Sequence, residues 1–248
     1  MTKLKLLALG VLIATSAGVA HAEGKFSLGA GVGVVEHPYK DYDTDVYPVP
    51  VINYEGDNFW FRGLGGGYYL WNDATDKLSI TAYWSPLYFK AKDSGDHQMR
   101  HLDDRKSTMM AGLSYATFPQ YGYLRTTLAG DTLDNSNGIV WDMAWLYRYT
   151  NGGLTVTPGI GVQWNSENHN EYYYGVSRKE SARSGLRGYN PNDSWSPYLE
   201  LSASYNFLGD WSVYGTARYT RLSDEVTDSP MVDKSWTGLI STGITYKF

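Results

Sequence analysis

The sequence predicts an all-β chain: a transmembrane, antiparallel, up-and-down β-barrel that follows a cleaved signal peptide. Three observations carry this expectation. From residue 26 onward the chain breaks into runs of about ten residues in which apolar residues alternate with small or polar ones. Period two, sustained between turn signals, marks a strand with two unlike faces. Beyond the N-terminus no stretch offers 18 consecutive apolar residues, so the chain does not cross a membrane as helices. Last, the sequence closes on Leu239–Phe248, where Ile240, Thr242, Ile244, Tyr246 and Phe248 form a largely apolar stripe. Leu239, Ser241, Gly243, Thr245 and Lys247 form the smaller, more polar one.

The first 22 residues read as an address. Lys3 and Lys5 precede an apolar run from Leu6 to about Ala14, and small residues lead to Ala20-His21-Ala22. A positive start, a short apolar run and an A-x-A site make a secretory signal peptide, with cleavage between Ala22 and Glu23. The domain organisation is then a signal peptide over 1–22 and an outer-membrane barrel over 23–248. The chain has no cysteine, so neither a lipid-bearing cysteine nor a disulfide framework is available. Removal of the signal takes two lysines and no acid, moving the net charge from -5 to -7. That sign argues against a nucleic-acid binder, which presents a basic face.

The strands follow in order. Phe26, Leu28, Ala30, Val32 and Val34 alternate with Ser27 and three glycines. The run 46–54 carries Pro48 and Pro50, which delete ladder donors and make it the weakest strand candidate. Further runs are 58–71, 78–89, 107–118 and 121–131. In 139–149, Ile139, Trp141, Met143, Trp145, Tyr147 and Tyr149 oppose a face that includes Asp142 and Arg148. In 154–164, Leu154, Val156, Ile160, Val162 and Trp164 oppose threonines and glycines. The runs 197–207, 211–222 and 236–248 complete the set.

A soluble sandwich puts its apolar stripe inside; an outer-membrane barrel turns it to lipid. Here the second stripe is glycine, serine and threonine with scattered charges, which suits a narrow lumen better than a hydrated exterior. Trp60, Trp71, Trp84, Trp141, Trp164, Trp195, Trp211 and Trp236 gather near strand ends, where interface girdles belong. The chain is therefore expected in the outer membrane of a Gram-negative cell. Its last strand closes on its first, and Tyr246 and Phe248 form the aromatic end used in barrel assembly.

Parity sets count and orientation. Short turns at Glu55-Gly56-Asp57, Pro119-Gln120, Asn151-Gly152-Gly153 and Leu208-Gly209-Asp210 face the periplasm; the longer connections 35–45, 90–106, 132–138, 165–196 and 223–235 face outward. The segment 58–89 must then cross an odd number of times. Three crossings, split near Gly65-Gly66-Gly67, give twelve strands; ten is the alternative.

Candidate chemistry is sparse. His97 and His101 in "HQMRHLDD", beside Asp103 and Asp104, have ligand-type side chains but lack the glutamate and helical pattern of the zinc-helix motif. The glycines of "GAGVGV" and "GLGGGYY" lack the strand–loop–helix context of a phosphate cradle. No G-x-S-x-G elbow occurs, and no cofactor or enzymatic activity is expected. Asp142, Arg148, Glu200 and Arg218 are the candidate lumen network, either selecting a solute or bracing the barrel. Loop 165–196, with Tyr172, Tyr173, Tyr174, Tyr189, Arg178, Arg183 and Arg187, reads equally as a contact surface, as for an adhesin or receptor, or as a cap over the mouth.

The stretches "HPYKDYDTDVYPVPVINYEGDNFWF", "YYYGVSRKESARSGLRGY" and "RLSDEVTDSPMVDKSWTGLISTGITYKF" resemble the MipA/OmpV family of outer-membrane proteins. The resemblance spans nearly the whole chain after the signal. It implies a non-enzymatic scaffold that brings a membrane-bound lytic transglycosylase of the MltA type and a bifunctional penicillin-binding protein together at the murein layer. Such partners would meet the periplasmic turns, making Glu55, Asp57, Gln120, Asn151 and Asp210 the candidate contact residues. A small-solute channel is the alternative from the charged lumen.

Overall fold

Each alternating run becomes a strand whose two stripes take opposite sides of one wall. The computed structural model describes residues 25–119 and 121–248. The signal peptide with its Ala22–Glu23 cleavage site, and Gln120, lie outside the described residues. The strands are β1 (Lys25–Glu36), β2 (Asp45–Glu55), β3 (Phe59–Arg62), β4 (Gly65–Asn72), β5 (Asp76–Ser85), β6 (Thr108–Thr117) and β7 (Tyr123–Asp131). β8 runs in two pieces, Ile139–Leu146 and Tyr149–Asn151, that pair with the same neighbour. β9 (Leu154–Asn165), β10 (Ser194–Leu208), β11 (Trp211–Arg221) and β12 (Trp236–Lys247) follow.

All neighbours are antiparallel, and β12 pairs with β1 from Ser27↔Lys247 to Glu36↔Gly238, so the twelve strands close. Closure satisfies the strand edges that an open sheet would leave bare in hydrocarbon. The chain end completes the seam: Phe248 N–H donates to Phe26 C=O at 2.9 Å. The Phe248 ring lies 5.6 Å from Phe26 and 4.9 Å from Tyr246, with Trp211 5.1 Å from Tyr246. Phe248 is 69% exposed, as a girdle residue facing lipid should be.

Leu28, Val32, Ile80, Leu113, Ile160, Leu199, Ile240 and Ile244 all point outward. The segment 58–89 does hold three strands, as parity requires, but the first turn falls at Gly63-Leu64, ahead of the glycine triplet. Gly63 takes φ +57°, the sign a two-residue hairpin turn needs and glycine supplies. Strand 45–55, suspect for its prolines, is full length and pairs with β1 throughout. Trp60 is a correction to the girdle: it is buried on the inner face of β3.

The largest apolar core lies outside the membrane wall. The long connections pack together over one mouth of the barrel, the end at which such barrels carry their extracellular loops, with Tyr39, Phe89, Met99, Tyr173, Val226 and Met231 fully buried. Loop 166–193 is therefore a cap. It folds as helix α1 (Glu167–Tyr174) and helix α2 (Arg178–Ser184). Ser177 caps α2 by a reciprocal box with Glu180, whose carboxylate also takes Arg105 at 2.8 Å. Of the two readings of this loop, contact surface or cap, Tyr173 and Tyr174 follow the second: both are buried in this core.

Candidate functional site

Five consecutive strands deliver one cluster of charged and polar side chains to the lumen. Arg125 comes from β7, Asp142 from β8, Gln163 from β9, Tyr198 and Glu200 from β10, and Arg218 from β11. Register assembles them: Asp142 lies opposite Gln163, and Glu200 opposite Arg218. Tyr198 lies opposite Gly161, where a Cβ would sit 2.2 Å from its ring; the glycine makes room for the tyrosine to lie across the lumen.

Arg218 donates to Asp142 Oδ2 at 2.8 Å and to Gln163 at 3.2 Å. Tyr198 O–H donates to Asp142 Oδ1 at 2.9 Å, and Arg125 reaches Glu200 at 3.1 Å. The Arg218 guanidinium stacks 3.5 Å from the Tyr198 ring centre. These four charged side chains are only 5% to 18% exposed, so they behave as buried pairs, where loss of one partner strands the other. Both oxygens of Asp142 carry donors and the charges cancel, which makes this cluster a brace tying five strands together.

Asp142, Glu200 and Arg218 thus meet as the sequence predicts. Arg148 does not join them: it lies in the break in β8, with its guanidinium 5.6 Å from the Tyr123 ring centre. Arg125 and Tyr198 were missed. Arg125 was findable, as the charged residue at an inward position among Tyr123, Thr127 and Ala129.

A cavity of about 270 Å³ separates this polar floor from the cap. Its roof includes Pro38, His169 and Tyr174, and its upper walls include Val35, Leu87, Met110, Val140 and Leu239. His169 is fully buried, its Nδ1 has no hydrogen-bond partner, and burial pushes its pKa down to about 4. His97 and His101 are elsewhere in the cap, with rings 4.9 Å apart. Asp103 is paired with Arg183, and Asp104 accepts Ala91 N–H at 2.8 Å. Among the described residues no group of three or more His, Asp or Glu is placed to hold a metal ion.

At the end of the barrel away from the cap, connections 56–58, 73–75, 118–122, 152–153 and 209–210 are short, as the periplasmic turns of such barrels are. Asp57, Asn151 and Asp210 are exposed there. Glu55 is a correction: it is the inward last residue of β2, holding Arg62, Lys77 at 3.1 Å and Tyr69 O–H at 2.7 Å. It closes the lumen's lower end and offers no free carboxylate to a partner.

Residues 28–248 match the protein family described as MltA-interacting protein MipA. Over the full length of both chains, the sequence is 99% identical to the MltA-interacting protein of Escherichia coli strain K12 and to that of Shigella flexneri. Outer membrane protein OmpV of Vibrio cholerae serotype O1 is 24% identical, covering 91% of this chain and 88% of its own. With its apolar outer face and relatives named as outer-membrane proteins, the barrel lies in the outer membrane.

Two outcomes follow from the lumen and the cap. Arg218→Met leaves Asp142 buried beside one remaining arginine and should destabilise the folded barrel by about 3 kcal/mol. The double variant Arg218→Met/Asp142→Leu should recover most of that loss in urea titrations read by tryptophan fluorescence. For His169, the folded pKa near 4 lies below the ordinary 6.5, so between those values the unfolded cap binds a proton that the folded cap excludes. Cap stability is thus present above about pH 6.5 and is lost as pH falls toward 4. Glu180, held below its ordinary 4.5 by its hydrogen bonds and Arg105, adds a loss at lower pH still. Protease cleavage in 166–193 should therefore speed up across that window, and His169→Leu should flatten the upper part of the profile.

Proposed function

This chain belongs to the MltA-interacting protein MipA family, and from that premise we propose that it is a non-enzymatic outer-membrane adaptor. Its partner is a membrane-bound lytic transglycosylase of the MltA type. The observation that carries this reading is the 99% identity, end to end, to chains named for interaction with MltA. A bifunctional penicillin-binding protein is the second partner that the family resemblance implies, placing a murein-cleaving and a murein-building enzyme on one membrane anchor.

The geometry bears on where such partners sit. Murein enzymes act in the periplasm, and on that side the barrel presents short turns with Asp57, Asn151 and Asp210 exposed. A stable interface needs about 800 Å² per partner. No one turn supplies that, so the contact extends to the rim beside the turns, where Phe59, Trp71, Tyr121 and Leu208 are exposed. Aromatic side chains of that kind anchor interfaces well. A closed, braced barrel holds these turns in fixed relative positions, which is what an adaptor for two partners requires.

The test is affinity capture from solubilised envelope by the folded, detergent-held barrel, with an unrelated barrel of similar size as control. Specific retention of a lytic transglycosylase is expected, together with a murein synthase. The combined variant Asp57→Lys/Asn151→Lys/Asp210→Lys should lower retention at least tenfold. Lys179→Ala and Arg183→Ala, on the outer face of the cap, should leave it unchanged. Retention equal to the control barrel's contradicts the adaptor reading. Loss confined to the cap variants places the interface on the wrong side.

A further inference from the structure

The barrel wall has a gap in its extracellular half. The hairpin β3–β4 is too short to reach the outer rim: β2 pairs with β3 only from Asn53 to Glu55, and β4 begins at Gly65, opposite Tyr83. Above the Gly63-Leu64 tip, residues 45–51 of β2 and the chain from Trp84 upward have no strand between them. Seven residues at about 3.4 Å each make the opening ~24 Å long, measured along β2. Two absent strands leave it about 14 Å wide, at roughly 4.8 Å per strand spacing.

The sequence is fitted to that opening. Gly63 N–H donates to Ile52 C=O at 3.0 Å, so the even-numbered residues of β2 aim their backbone groups at the hairpin side. Above Ile52 these are Pro50, Pro48 and Val46. Two of the three have no N–H to leave unpaired, which is how an edge strand is made tolerable in lipid. The prolines that weaken 46–54 as an inner strand suit it as the border of a gap.

The opening leads to the cavity. Along other strands that line it, the cavity touches alternate positions, as a continuous wall dictates: Arg125 and Thr127 of β7, Val140 and Asp142 of β8. At the gap it is lined by Tyr83, Trp84 and Ser85 of β5 in succession, and by the chain that follows to Tyr88. What spans the gap is a pair of side chains. Tyr47 and Tyr88 meet hydroxyl to hydroxyl at 2.5 Å, and Tyr88 also donates to Asp45, which His37 holds at 2.9 Å.

We propose that this gap is a side door through which a small single-chain amphiphile passes from the outer leaflet into the cavity, with the Tyr47–Tyr88 contact as its latch. The occupant follows from the site. The mouth opens onto lipid beside the exposed Val46 of β2. A volume of 270 Å³ holds about nine groups the size of water, at roughly 30 Å³ each, which suits a chain of about eight carbons and is too small for a two-chain lipid. The upper walls are apolar, and the floor carries two arginines and two carboxylates that neutralise one another. An uncharged, hydrogen-bonding head fits that floor better than an ion does. This role is independent of the adaptor reading, since it uses the opposite half of the barrel.

The test uses a diazirine-bearing octanol as photolabel on the full barrel folded in phosphatidylcholine vesicles. Label should appear on Leu87, Met110 and Val140, saturate, and be competed by unlabelled octanol. The chain has no cysteine, so Tyr47→Cys/Tyr88→Cys gives a unique pair to be bridged across the gap by a bis-maleimide. Bridging should cut cavity labelling at least fivefold while leaving lipid-facing label at Ile160 unchanged. Tyr88→Phe, which removes the latch hydrogen bond and keeps the ring, should speed cavity labelling severalfold. Absence of saturable label in the cavity overturns the proposal. So does cavity labelling that neither the bridge nor Tyr88→Phe alters, since the probe then enters by another path.

Discussion

The constraint on which the rest of this structure depends is that hydrocarbon offers backbone amides no partner. Every N–H and C=O crossing the membrane must be paired within the wall, and a sheet achieves this only by closing. The β1–β12 seam does so over ten residue pairs, ending with Phe248 bonded back to Phe26. Once the wall is closed, period two assigns each residue to lipid or lumen. The bulky stripe goes outward, leaving glycine, serine and threonine inside with charges that must find one another. Arg125, Asp142, Glu200 and Arg218 do so across five strands. Where the wall lacks strands beside β2, two prolines have removed donors that would otherwise go unpaired.

The lumen holds only small apolar clusters, such as Tyr123, Ala144, Leu146 and Tyr198, and this protein builds its main core outside the membrane wall. The extracellular connections bury Tyr39, Phe89, Tyr173 and Met231 among themselves and pin the assembly with the Arg105–Glu180 pair. This division of labour separates the two ends of the molecule. The outer end is thick and ordered as a cap over a cavity; the periplasmic end is a ring of short turns held rigidly by the wall. The proposed murein partners would meet the second, and the proposed small amphiphile the first.

The wall was largely legible in the sequence, and for a physical reason. Alternation survives in any strand with two unlike faces, so the strands, three of them within 58–89, could be read from periodicity and parity alone. Asp142, Glu200 and Arg218 were legible for the same reason, as charges on inward positions. Arg148 failed because parity carries no information across the break between Leu146 and Tyr149. Glu55 failed because a strand's last residue still has a face, and its face is the lumen. The tyrosines of 172–174 could not be placed at all. A loop core has no period, so a tyrosine buried in it and one offered to a partner look identical in sequence. The shortness of β3–β4 was hidden as well, since the glycine triplet drew the turn two residues past its true place at Gly63.

Both functional readings rest on one orientation, with the cap outside the cell and the turns in the periplasm. Single cysteines test it directly, because the chain contains none of its own. Arg183→Cys on the cap and Asp210→Cys on a turn should be compared in intact cells with a membrane-impermeant maleimide. Rapid labelling is expected at position 183, and labelling at position 210 only after the outer membrane is permeabilised. Labelling at 210 in intact cells, with 183 protected, would invert the barrel and contradict both readings at once.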